Sequence, residues 1–179
     1  FSCSSNYADE VYTYSDTKCE ERSSPITAKG LVARLNAERR PIENLNNGNV
    51  RLGLFNPNYC GANFASIDLS EHHIEHGVFE NATFGNTNLR NAVISSSRFN
   101  GADFLGANLE GATFKDVDLR DAVFNGATLK NSNFQYVDLS GASFHSVDSS
   151  SSISIERSRN LDKIILHPSS YAAFNNIRE

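Results

Sequence analysis

The chain has 179 residues, with 21 Asp and Glu against 16 Lys and Arg, a formal charge of −5. That length allows one domain, or one domain plus caps, around a continuous core. The negative balance disfavours nonspecific nucleic-acid binding and attraction to membrane surfaces. No stretch approaches the roughly 20 apolar residues needed to cross a bilayer, so a soluble chain without membrane insertion is expected.

The chain has no Met and begins at Phe1, which reads either as a processed terminus, as after signal-peptide removal, or as a cut end. Residues 1–23 show no sustained periodicity and read as an irregular N-terminal arm. Cys3 and Cys19 lie in this polar, Ser- and Tyr-rich segment, where a disulfide between them would supply the order that a poor core cannot. Such a bond needs an oxidising compartment. Cys19 with Cys60 is the alternative pairing, and free thiols are the bland one. No CxxC or Cys/His spacing marks a zinc site.

Residues 24–51 predict a helix and a leading strand. Ser24 suits the N-cap with Pro25 at the first helical position. Ile26, Leu31, Val32 and Leu35 make an apolar stripe, and Pro41 lies beyond an end near Arg39 or Arg40. Asn46-Asn47-Gly48-Asn49 is a turn, after which Val50, Leu52 and Leu54 alternate as a strand.

Residues 52–148 are organised differently. Tyr59 and Leu54 stand five and ten residues before Phe64, and every fifth residue from Phe64 to Phe144 is Phe, Leu or Ile, seventeen in succession. Two residues before each stands a mostly small one, among them Ala62, Ala82, Ala92, Ala102, Ala107, Ala112, Ala122, Ala127 and Ala142. A period of five is neither helical nor extended, and a fixed period signals a repeat architecture. Two residues after the large one, Gly, Asn or Asp predominates (Gly61, Asn81, Asn86, Asn91, Gly101, Gly106, Gly111, Asp116, Asp121, Gly126, Asn131, Gly141). These residues tolerate the positive φ of a tight turn, so a corner every five residues is expected.

The units Ala-Asp-Phe-Leu-Gly (102–106), Ala-Asn-Leu-Glu-Gly (107–111) and Ala-Thr-Phe-Lys-Asp (112–116) resemble the A(D/N)LXX unit of the pentapeptide-repeat family. The resemblance implies an all-β solenoid, a right-handed quadrilateral β-helix with four units to a coil. A twenty-residue coil aligns Phe64, Phe84, Phe104, Phe124 and Phe144 on one wall and Leu69, Leu89, Leu109 and Leu129 on the next. The third wall carries Ile74, Ile94, Phe114 and Phe134, and the fourth Phe79, Phe99, Leu119 and Leu139. The two ends expose unpaired edges and an apolar cross-section. Short α-helical caps are therefore expected, the first from residues 24–51.

The register fails after Phe144, and residues 149–179 read as an irregular coil and a C-terminal capping segment. Leu161, Leu166 and Tyr171 restart a five-residue spacing. Tyr171, Phe174 and Ile177 alternatively mark a short helix begun by Ser169 or Ser170 after Pro168, the reading we favour.

Glu71-His72-His73-Ile74-Glu75-His76 is the one cluster with metal-ligand chemistry. In the repeat, His72 falls inward, His73 outward and His76 at a corner, so convergence on an ion is not expected. His145 and His167 lack a carboxylate-plus-nucleophile arrangement, and no G-x-S-x-G or phosphate loop is present. A filled solenoid offers no internal substrate pocket. No catalytic site, cofactor or metal is read from the sequence, and a non-enzymatic scaffold or protein-interaction module is expected.

Outward columns carry charges of alternating sign, Arg90, Glu110 and Lys130 in one and Arg98 and Asp118 in another, which read as solubilising ladders. The wall outside the Phe ladder is weakly charged: Thr83, Asp103, Val123 and Ser143, flanked by Leu105, Asn125 and His145. Leu105 and Val123 there are anchors for a partner protein. A second reading is mimicry of duplex DNA, which the resemblance implies through gyrase-protecting members of the family. Residues 60–148 carry eleven Asp and Glu against five Lys and Arg. A third reading is a structural protein of a periplasm or thylakoid lumen. The expected state is a monomer or an end-to-end dimer.

Overall fold

The computed structural model describes Cys19, the backbone of residues 40–42, 51–55 and 176–178, and residues 59–148 and 152–174 in full. The segment expected to form the N-terminal capping helix, before residue 40, and Cys3 lie outside the described residues.

Ten short strands organise the described residues: β1 (Arg40–Ile42), β2 (Arg51–Phe55), β3 (His73–Glu75), β4 (Val93–Arg98), β5 (Thr113–Asp118), β6 (Asn133–Gln135), β7 (Ser143–Phe144), β8 (Ser154–Glu156), β9 (Ile165–Leu166) and β10 (Asn176–Arg178). Strands β2 to β6 pair parallel and in order, with Leu54 opposite Ile74, Ile74 opposite Ile94, Ile94 opposite Phe114 and Phe114 opposite Phe134. Each step is twenty residues, so the walls are stacked coils of a solenoid. The Phe64 wall forms the same way, through parallel bridges from Asn63 to Thr83, Asp103, Val123 and Ser143. The first strand, β1, lies antiparallel on β2, and Arg40 faces Gly53.

Corners follow the five-residue rule without a break. The residue two beyond each large one, from Gly61 to Ser146, has φ between 46° and 73°. On three walls a further bond closes the turn, from the N–H three residues on back to the carbonyl of the large residue. Ala107 to Phe104, Ala112 to Leu109 and Ala102 to Phe99 are examples, at 2.9, 3.0 and 2.9 Å. The corner after the third wall is built otherwise. There the Gly77 N–H donates to Ser97 Oγ (2.9 Å) and the Val137 N–H to Ser158 Oγ (3.3 Å). Strands β4 and β5 run straight through the same corner, six residues each. This column holds His76, Ser96, Asp116 and Tyr136, with no Gly or Asn.

All seventeen large residues from Phe64 to Phe144 are buried. Phe rings stack face to face from coil to coil. Phe64 on Phe84, Phe84 on Phe104, Phe104 on Phe124 and Phe124 on Phe144 lie at centroid distances of 4.7, 5.0, 4.9 and 4.7 Å. This matches the inter-strand repeat of about 4.8 Å, and each buried ring contributes about 1.5–3 kcal/mol. The Asp or Asn of the repeat also has a structural task. Asn63, Asp68, Asn88, Asp103, Asn108, Asp118 and Asp138 each accept the backbone N–H two residues on, at 2.8–3.2 Å. An N–H that faces outward from the wall thereby gains a partner.

Beyond Phe144 the solenoid continues with insertions. Ile155 sits opposite Phe134, twenty-one residues on, and Leu166 opposite Phe144, twenty-two on. The C-terminal segment then forms a 3₁₀ helix, Pro168–Phe174, in place of the helix expected from Ser169 or Ser170. It buries Ala173 and Phe174 but leaves Tyr171 58% exposed. The Phe174 ring meets Phe144 edge-on at 5.0 Å and covers the end of the Phe ladder. Ile177 joins β10, paired with Ile155.

One expected covalent link is different. Cys19 is bonded to Cys60, with Cα atoms 5.7 Å apart, and not to Cys3. The separation along the chain, 41 residues, gave no sign of this. What decides it is that the first coil places Cys60 beside Cys19.

Candidate partner-binding wall

The first wall alternates by strand geometry: Phe84, Phe104 and Phe124 point inward, and Thr83, Asp103, Val123 and Ser143 point outward in one hydrogen-bonded ladder. These four are half-buried, since each is flanked by its neighbours in the coils on either side. The next outward column runs through Gly85, Leu105, Asn125 and His145, and Leu105 is 53% exposed.

All six residues expected at this site therefore lie on one wall. They are not equally available. Asp103 uses Oδ1 to accept the Leu105 N–H (2.9 Å). Asn125 Oδ1 accepts both the Ser143 hydroxyl and the His145 N–H, each at 2.8 Å. Those polar groups hold the wall's own surface, whereas Leu105 is an exposed apolar side chain and Val123 a half-buried one.

Ile165 extends the site beyond what periodicity showed. It pairs with Ser143 at the end of the same ladder and is 49% exposed. The inserted residues before it put it out of phase with the five-residue count, so only the pairing reveals it. His167 follows in the next column, its ring 6.1 Å from that of His145.

The other walls differ in charge. Arg90 meets Glu110 at 3.5 Å, as the alternating column suggests. Arg98 instead binds Glu80 at 3.0 Å, while Asp118 binds Arg120 through two bonds, of 2.8 and 2.6 Å. Arg98 and Glu80 meet diagonally between neighbouring coils and Asp118 and Arg120 within one coil, and the hydrogen bonds to Asp118 raise the Arg120 pKa above its ordinary value. Asp68 accepts hydrogen bonds from Ser70 and Asn88, which hold its carboxyl below the usual value.

The histidine cluster is divided between the inside and the outside of one coil. His72 is buried, with Nδ1 donating to the Ser70 carbonyl (2.9 Å). His73 and His76 lie outside, 3.9 and 3.7 Å from the Glu75 carboxylate. Among the described residues, the three-ligand grouping is a different one: Cys19, Cys60 and Glu80.

No curated protein matches the sequence. Similar solved structures include the pentapeptide repeat protein Rfr23 from the cyanobacterium Cyanothece 51142, at 19% identity over 65% of this chain and 85% of that one, TM-score 0.49. QnrB1, a plasmid-mediated fluoroquinolone resistance protein, is 17% identical over 66% of this chain and 84% of its own, TM-score 0.43. A pentapeptide repeat protein from the Arabidopsis thaliana thylakoid lumen is 25% identical over 56% and 62%, TM-score 0.30. The family model for a pentapeptide repeat region matches residues 67–144. With its unbroken corners and four stacked columns, this stretch is a pentapeptide repeat region.

Proposed function

We propose that this protein is a non-enzymatic interaction module whose Phe64 wall docks a partner protein. The observation that carries the reading is the pairing of low charge with exposed apolar groups along one uninterrupted ladder. Asp103 is the one carboxylate among Thr83, Asp103, Val123, Ser143 and the adjoining Leu105 and Asn125. Leu105 and Ile165 are exposed on the same wall. A flat, stacked β-surface suits such a role, because docking a rigid wall orders few side chains.

The test is partner capture from an extract of the encoding organism, comparing the native chain with Leu105→Glu/Val123→Glu. Loss of the native chain's specific partner, with the circular dichroism spectrum and unfolding midpoint kept, is the expected result. Equal capture by the double variant rules the wall out.

Mimicry of duplex DNA receives less support. The carboxylates of residues 80, 110 and 118 are each joined to an arginine, which breaks the continuous negative stripe that mimicry needs. Inhibition or protection of gyrase supercoiling at micromolar protein would reverse that preference. The Cys19–Cys60 bond favours an oxidising compartment such as a periplasm or thylakoid lumen. Fractionation with thiol labelling checks this: both cysteines reacting in freshly isolated protein would count against export.

A further inference from the structure

We propose that Cys19, Cys60 and Glu80 form a zinc-binding site when the disulfide is reduced. The two sulfurs and a Glu80 carboxylate oxygen lie within 4.8 Å of one another. Two of the three ligands are placed by the solenoid itself. Cys60 and Glu80 stand one coil apart in the same outward column, and the Gly61 N–H bonds to the Glu80 carbonyl at 2.8 Å. All three residues are half-buried, open enough for an ion and a water to reach them.

The chemistry of the set selects the metal. Two thiolates and one carboxylate favour a thiophilic divalent ion over magnesium or calcium. Zinc takes Cys sulfur at about 2.3 Å and carboxylate oxygen at about 2.0–2.2 Å, with tetrahedral angles, so the sulfurs need to stand roughly 3.8 Å apart. Breaking the S–S bond allows that by side-chain rotation, since the Cα atoms are already 5.7 Å apart. A water takes the fourth position. Arg98, at 3.0 Å from Glu80, holds the carboxylate from behind as an outer partner.

The redox step balances with a dithiol as reductant. The dithiol gives two electrons and two protons to the Cys19–Cys60 bond, leaving two thiols and a cyclic disulfide of the reductant. Zinc then displaces one proton from each thiol into solvent as the two metal–sulfur bonds form. Cys19 is thus tethered to the first coil in both states, by a covalent bond in one and by a metal in the other.

Cobalt titration of the full chain tests this, with the protein first reduced by a dithiol and desalted without oxygen. One cobalt per chain with a thiolate-to-cobalt charge-transfer band, bleached by zinc, is expected in the reduced protein and absent from the oxidised one. Cys60→Ser should abolish the band and Cys3→Ser should leave it. Glu80→Gln, which keeps both cysteines and the disulfide, should weaken binding about tenfold or more. The proposal is overturned if the oxidised chain binds equally, if Cys60→Ser retains the band, if Cys3→Ser removes it, or if Glu80→Gln changes nothing.

Discussion

The side-chain oxygen of Asn81 occupies the space that a β-carbon on Gly101 would need, one coil further on. Gly101 has φ +67, so its glycine answers two demands, backbone and space. The same arrangement recurs for Asp121 beneath Gly141, and the column Gly61, Asn81, Gly101, Asp121, Gly141 alternates strictly between glycine and a carboxamide or carboxylate. Gly126 provides the contrast: φ is +66, but nothing lies within 4 Å of a β-carbon there.

Gly126→Ala should therefore cost only the left-handed backbone penalty, roughly 1–2 kcal/mol. Gly101→Ala should cost about 0.5–1.5 kcal/mol more, because Asn81 must leave its rotamer. In an Asn81→Gly background the two glycine substitutions should become equal. Urea unfolding of the two single variants, of Asn81→Gly and of the two double variants measures this, and equal costs in the native background would refute the steric account.

Phe104 lies in the middle of the ring ladder, parallel to Phe124 within 3° and to Phe84 within 14°. Phe104→Ala should destabilise by about 3–5 kcal/mol, since coils above and below cannot close on the void. Phe174→Ala should act differently. It uncovers Phe144 at the end of the stack, so hydrogen exchange should quicken in the last coils while central coils stay protected.

Breaking the Cys19–Cys60 bond removes a constraint on a loop whose ends are 41 residues apart, worth about 4 kcal/mol on the chain-entropy account. In a stacked repeat that loss is local, so Cys60→Ser should loosen the first coil around Tyr59 before the rest. Mass spectrometry of non-reduced digests should find the Cys19 and Cys60 peptides joined. A Cys3–Cys19 peptide would contradict the structure.

Asp68 is held ionised by Ser70 and Asn88, and its folded pKa is lowered. A lowered carboxylate pKa contributes stability above the unfolded value near 3.9 and loses it as pH falls through the folded value. Asp68→Asn should therefore narrow the difference in urea midpoint between pH 6 and pH 3. An unchanged difference would show that Asp68 is not among the groups responsible. Its exposure keeps the effect small.

Much of this protein is written in the order of its residues. A large apolar residue every fifth position, with a turn-former two later, determines both the inward ladder and the corner, because each depends on one residue's size or its tolerance of positive φ. Sorting by twenty then aligns Phe64 with Phe84 and Thr83 with Asp103, as the stacked coils do. The Thr83 to Ser143 wall was legible for the same reason.

Tertiary structure alone decided whatever depends on distance between segments of different period. Cys60 pairs with Cys19 because the first coil presents it there. Arg98 meets Glu80 across neighbouring coils, and Ile165 joins the Thr83 to Ser143 ladder because inserted residues are absorbed before strand pairing resumes. A linear period records which way a side chain points. It cannot record which residue from outside the regular period comes next to it, and that is where Cys19 beside Cys60 and Ile165 beside Ser143 are found.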